Sequence, residues 1–232
     1  MVGENEMNEK FVILVLTGLL AAAAAIAGIH YEEFRAAKKN EAAIHLFKDN
    51  TVWENVYQIF SILLLILMAV VFAVQYDQYT YIYVWKRMLI TAGLMTAAFY
   101  DKKELRIPNF VIVALLACRV LLLPAEFLFQ RQMIVSTLLS EVIAAGAMGV
   151  LCLLCVIIMK GSMGMGDVKL LITMGLFEGL TGIFSAIFMS MILLFFAAVF
   201  LLITKKKGRK DALPFAPFLF VGTYVSILLT GN

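Results

Sequence analysis

The chain has 232 residues, 63% of them hydrophobic and 15% charged, with a net charge of +3. A soluble domain is about 45–50% apolar and about 25% charged, so a water-soluble globule is excluded and several bilayer spans are expected. No basic stretch is interleaved with aromatics, which leaves no expected nucleic-acid partner; in such a chain the placement of Lys and Arg matters more than their sum.

The N-terminal stretch 1–10 carries Glu4, Glu6 and Glu9 against one lysine. The apolar run 11–29 is just long enough to span, since a ~30 Å hydrocarbon core needs about 20 helical residues. Ala21–Ala25 imitates a signal-peptidase site, but an acidic start is wrong for a signal peptide, so a retained span is expected. The longest polar segment, 30–57, places Phe34, Ile44 and Phe47 at near-helical spacing and predicts an interfacial amphipathic helix. His30 and His45 have no Cys/His cluster beside them and are expected at the surface.

Further spans are predicted over 58–76, 83–100, 108–124 and 135–159. Tyr76, Tyr79, Tyr81, Tyr83 and Trp85 suit an interfacial aromatic belt. Pro108 opens its span, where a missing N–H costs nothing. Cys152 and Cys155 form a Cys-x-x-Cys, but inside the apolar run Leu151–Met159. They read as small apolar residues on one helix face, because zinc takes about four ligands and no second pair exists. No metal and no cofactor is therefore expected.

Residues 168–203 as one helix would reach about 54 Å, far beyond a ~30 Å core. Glu178, Gly179, Thr181 and Gly182 interrupt the run, which predicts a short helix over 168–178 and a full one over 183–203. The last span is 214–230. The fold class is therefore all-α: a polytopic membrane protein of about eight transmembrane helices. Residues 1–80 form an N-terminal hairpin with a cytoplasmic amphipathic loop, and 81–232 a six-helix membrane domain.

With the N-terminus outside, fourteen of the nineteen Lys and Arg fall on inner segments and five, Lys10, Lys86, Arg87, Arg119 and Arg131, on outer segments or span ends. The positive-inside rule thus favours both termini outside, with 205–210 as the strongest cytoplasmic anchor.

Two aspartates then fall on the cytoplasmic side. Asp167 lies in Gly164-Met165-Gly166-Asp167-Val168-Lys169, and Asp101 ends one apolar run, six residues before Ile107-Pro108-Asn109. An ionisable residue beside membrane spans is costly, so a functional role is the default expectation. Taken singly, Asp167 could simply cap a helix before Val168, and Asp101 could pair with Lys102 or Lys103 at the interface. Two glycines before Asp167 remove Cβ atoms where another backbone can approach.

This pair of motifs resembles the prepilin peptidases, the GxGD membrane aspartyl proteases that mature type IV pilins and archaellins. A weaker match is Leu213-Pro214-Phe215-Ala216-Pro217, where the family often has Pro-Phe-Gly-Pro; Ala216 departs from that glycine. The resemblance covers about 85–230 and makes 81–232 a GxGD aspartyl peptidase domain with a six-helix core. It implies Asp101 and Asp167 as catalytic residues, and Gly164, Gly166, Lys169, Pro108, Asn109 and Pro214 as motif or substrate-positioning residues. It also implies pilin-like or archaellin precursors as substrates, cut at the cytoplasmic face of the cell membrane. Many bacterial members carry a methyltransferase insert with paired Cys-x-x-Cys motifs; the short peptidase-only forms, which this chain resembles, do not.

Two rivals differ in the residues they need. A presenilin or signal-peptide-peptidase type protease would share Tyr100-Asp101 and Gly164–Asp167 but wants Pro-Ala-Leu where Pro214-Phe-Ala stands. An ion-coupled carrier would use the aspartates as cation ligands in helices broken at mid-membrane, whereas Asp167 is placed at the cytoplasmic edge.

Overall fold

In hydrocarbon every backbone N–H and C=O must be satisfied within its own segment, which makes apolar runs of this length helical. The computed structural model describes residues 2–31, 52–75, 79–158, 164–204 and 213–230. Among the described residues there are seven helices and no strand: α1 (Val2–Ile29), α2 (Val52–Gln75), α3 (Tyr81–Glu104), α4 (Asn109–Phe129), α5 (Ile134–Ile158), α6 (Met165–Ile203) and α7 (Ala216–Thr230). Five of them, in α1, α2, α4, α5 and α6, are long and apolar enough to cross a bilayer, and α7 is a shorter apolar helix. The chain is thus an all-α, multi-pass membrane protein. Helix α4 runs on through Pro124 to Phe129 rather than stopping at the proline, and α2 begins six residues before the expected 58. Most of the polar segment in which an amphipathic helix was expected, 32–51 with His45, lies outside the described residues.

The chain divides into two compact units, Met1–Met88 and Leu89–Asn232, with the boundary inside α3. In the first, α1 and α2 pack as an antiparallel pair. His30 is not at the surface, as its sequence context had indicated: it is 4% exposed, and the Gln58 amide donates to its ring nitrogen at 2.7 Å. A buried polar group needs such a partner, and a lone histidine carries no pattern in the sequence that reveals one. Trp85 Nε1–H donates to Thr17 Oγ1 at 3.1 Å. Tyr79 stacks on Tyr83, whose hydroxyl accepts a bond from Arg87 at 2.9 Å.

The second unit holds the rest of α3 with α4 to α7. Helices α5 and α6 approach until a Cβ on Gly175 would stand 2.7 Å from the Ala145 nitrogen. Gly179 breaks α6 into halves, 165–178 and 180–203, with φ 67° and ψ −174°. That is a region open almost only to glycine. The first half is about 20 Å long, too short to span alone. The break frees backbone groups inside the unit, and side chains from two other helices take them up. Ser140 on α5 accepts from the Leu180 N–H at 3.0 Å, and Arg119 on α4 donates to the Leu176 carbonyl at 2.8 Å. Arg119 also donates to Glu126 at 3.0 Å and to Glu141 of α5. All three charged residues are buried. Arg119 is therefore no outer-end charge but an internal clamp of α4, α5 and the broken α6.

Candidate active site

Asp101 lies in the last turn of α3, just beyond the apolar stretch, and is buried. Its backbone carbonyl accepts the Leu105 N–H at 2.9 Å, and Leu105 closes the helix with φ 51°. That left-handed conformation is the usual way to end a helix, but costs a leucine roughly 1–2 kcal/mol that a glycine would escape. The side chain reaches across to the start of α7. Asp101 Oδ2 accepts the Ala216 N–H at 2.8 Å, and the Phe215 N–H also lies toward the carboxyl. These are two of the N–H groups that a helix start leaves without intrahelical partners, and such a terminus favours an anion. Pro214 leads into it, and the Phe215 carbonyl accepts the first helical bonds of α7. Burial pushes the Asp101 carboxyl above the usual range; the two backbone N–H groups pull it back down.

Asp167 stands at the third position of α6, whose N-cap is Gly164. It is not itself the N-cap. Its carboxylate reaches back to accept the Gly164 N–H, the arrangement a capping box uses at that position. A Cβ on Gly164 would stand 3.0 Å from Asp167 Oδ2, so the bare backbone leaves the carboxylate room. The neighbours of Asp167 in sequence, Gly166 and Lys169, meet Ile107 and Asn109, so Asp167 is held beside the connection that starts at Asp101.

The remaining motif residues join the same place. Pro108 is the N-cap of α4, extended at φ −69° and ψ 140°, and Asn109 is the first helical residue. Lys169 donates to Asn109 Oδ1 at 3.1 Å. Gly166 lies against the 105–108 connection: a Cβ there would meet Ile107 Cβ at 3.1 Å and Ile107 O at 3.4 Å. Thus Asp101, Pro108, Asn109, Gly164, Gly166, Asp167, Lys169 and Pro214, all singled out from sequence, lie around one site. Tyr100 packs edge-on against Phe99 and Phe110, both at 5.7 Å. Glu104 and Arg106 face each other at 3.9 Å in solvent, outside the site.

The backbone donors of Phe215 and Ala216 were not foreseeable, because a main-chain N–H has no sequence signature; the flanking prolines were the available sign. Among the described residues no group of three His, Cys, Asp or Glu could hold a metal ion. Two interacting carboxylates, one served by helix-terminal N–H groups, can hold a proton and a water between them.

No curated protein and no solved structure matches the chain. A model of the type IV leader peptidase family matches residues 88–203, half of the chain. That stretch contains Asp101, Ile107–Asn109 and Gly164–Lys169, the segments the fold gathers into one site, and the chain belongs to the type IV leader peptidase family.

Proposed function

We propose that this chain is a membrane aspartyl endopeptidase that removes the leader peptide of type IV prepilin-like precursors at the cytoplasmic face. The observation that carries the reading is that the connection running from Asp101 to Asn109 packs against α6 on both sides of Asp167, at Gly166 and at Lys169. Two adjacent carboxylates cannot both ionise cheaply, so they share one proton. The ionised member takes a proton from water as the water oxygen bonds to the scissile carbonyl carbon. The protonated member gives its proton to the carbonyl oxygen. Collapse of the resulting diol breaks the C–N bond, and the proton taken from water passes to the leaving amine. The glycines and prolines of the motifs leave the approach to this pair open, and Asn109, Lys169 and Pro214 position its surroundings. The basic residues clustered in 101–107, 160–169 and 205–210 support the cytoplasmic face.

The test is cleavage of a pilin-type precursor by the purified protein in liposomes. Asp101→Asn and Asp167→Asn are each expected to lower the rate by about 10³-fold or more, with the double change no worse, because residues acting as a unit are not additive. Glu104→Gln, on the exposed Glu104–Arg106 pair, should cleave nearly as the parent does. Either Asp variant cutting at close to the parent rate, at equal abundance in the membrane, would refute the assignment.

A further inference from the structure

We infer that Asn109 and Lys169 are positioning residues that set the separation of the two carboxylates, rather than contacts for the substrate. The inference rests on the aspartyl reading above. Lys169 follows Asp167 by two residues, about 200° around α6, so its ammonium points away from the carboxylate. It goes instead to Asn109 Oδ1 at 3.1 Å. The helix field does not draw it there, because the start of α4 is the positive end of a helix and repels a cation. The side-chain acceptor makes the attraction, and α4 begins with no side-chain cap.

Asn109 ends the connection that starts at Asp101. Leu105 N–H bonds back to the Asp101 carbonyl, Leu105 is held at φ 51°, and Ile107 lies on Gly166 so closely that a Cβ would have to push it by a few tenths of an ångström. The connection therefore meets α6 twice, at Gly166 and Lys169, on either side of Asp167 in sequence. This closes a circuit from Asp101 through the turn to Ile107 and Asn109, across to Gly166 and Lys169, and back to Asp167. On its far side Asp101 is fixed by Ala216. A strained, non-glycine turn persists only where its surroundings over-determine it, and these contacts do so. With the Lys169–Asn109 link cut, the connection is held to α6 by one contact and the two carboxylates are free to move apart.

Separation and chemistry are linked through the shared proton. The two apparent pKa values of a dyad are spread by the coupling between its members, so a looser pair has a narrower spread. Lys169→Met and Asn109→Leu should each lower kcat by about 10-fold with KM within about 2-fold, since a misplaced catalytic group costs rate rather than binding. Each should also bring the acid and alkaline limbs of the pH–rate profile closer together, an effect a merely structural loss would not produce. The double variant should be no worse than either single one. Gly166→Ala, which pushes on Ile107 from the other contact, should narrow the profile in the same way. All are assayed as full-length protein in liposomes beside Asp101→Asn and Asp167→Asn. An increase in KM with unchanged kcat and profile would make these residues substrate contacts and overturn the inference, as would multiplying defects in the double variant or parent-like kinetics in both singles. If the Asp variants themselves still cut, it is the aspartyl reading that has failed, and the circuit loses its purpose with it.

Discussion

Asp101 is costly where it stands. Burial holds its carboxyl above the ordinary range, even though Ala216 and Phe215 each offer an N–H. A group whose folded pKa is raised contributes stability that is fully present below its unfolded value, about 3.9, and is lost as pH rises through the folded value. Asp101→Asn keeps an acceptor for the α7 amides and removes the charge. It should therefore melt a few degrees above the parent at neutral and alkaline pH, with the gap closing toward acid pH, while cleavage is lost. Such an inactive but more stable variant is the usual mark of a residue kept for function. Thermal melts of both proteins in one detergent between about pH 4 and pH 8 check it, and a variant less stable than the parent at pH 8 would sink it. The residue itself stood out in the sequence through its spacing to Ile107-Pro108-Asn109, which carries the family resemblance; taken singly it could have paired with Lys102 or Lys103. Its partners were not, because both are main-chain groups.

The interruption of α6 shows what an element can and cannot reveal in sequence. Its location was legible from the length of the apolar run and from Glu178, Gly179 and Gly182, and the single non-helical residue is Gly179. What holds the break was not legible. Arg119 read as a span-end charge, Ser140 as nothing in particular, and only packing brings them to Leu176 and Leu180. Gly179→Ala should cost roughly 1–3 kcal/mol, because φ 67° with ψ −174° suits glycine alone and the new Cβ would meet Ser140 Oγ at 3.1 Å. Arg119→Met should cost more, about 3–5 kcal/mol, because it takes the cation from two buried carboxylates. A second change, Glu141→Gln, should restore part of that loss, since one buried charge then disappears with its partner. Midpoints of thermal aggregation in detergent give both orders. An Arg119→Met protein as stable as the parent would mean that the cluster is held neutral without its guanidinium.

At the scale of the whole molecule, composition and run length were enough for an all-α, multi-pass chain, because a bilayer allows so few other solutions. Helix ends were less legible: α1, α2 and α4 each run several residues beyond the apolar stretch, since helical bonding continues where hydropathy has stopped. The placement of basic residues makes a sharper statement than any one helix. Of the five assigned to the outer side, Arg119 is buried against Glu126 and Glu141 and no longer counts as an outer charge. The contrast with the fourteen inner ones grows accordingly. Lys and Arg flanking a span resist translocation, so the segment 205–210 should remain in the cytoplasm and the α4–α5 connection at Arg131 should face outward. With Cys118, Cys152 and Cys155 replaced, a cysteine introduced at Lys207 should react with a membrane-impermeant maleimide only after the cells are opened. One at Arg131 should react in intact cells. The same experiment bears on the site, because the distribution of Lys and Arg along the sequence assigns Asp101, Asp167 and 205–210 to the same side of the membrane. The reverse labelling pattern would put both aspartates outside, where no cytoplasmic leader could reach them, and would refute the proposed face of cleavage even if both carboxylates prove essential.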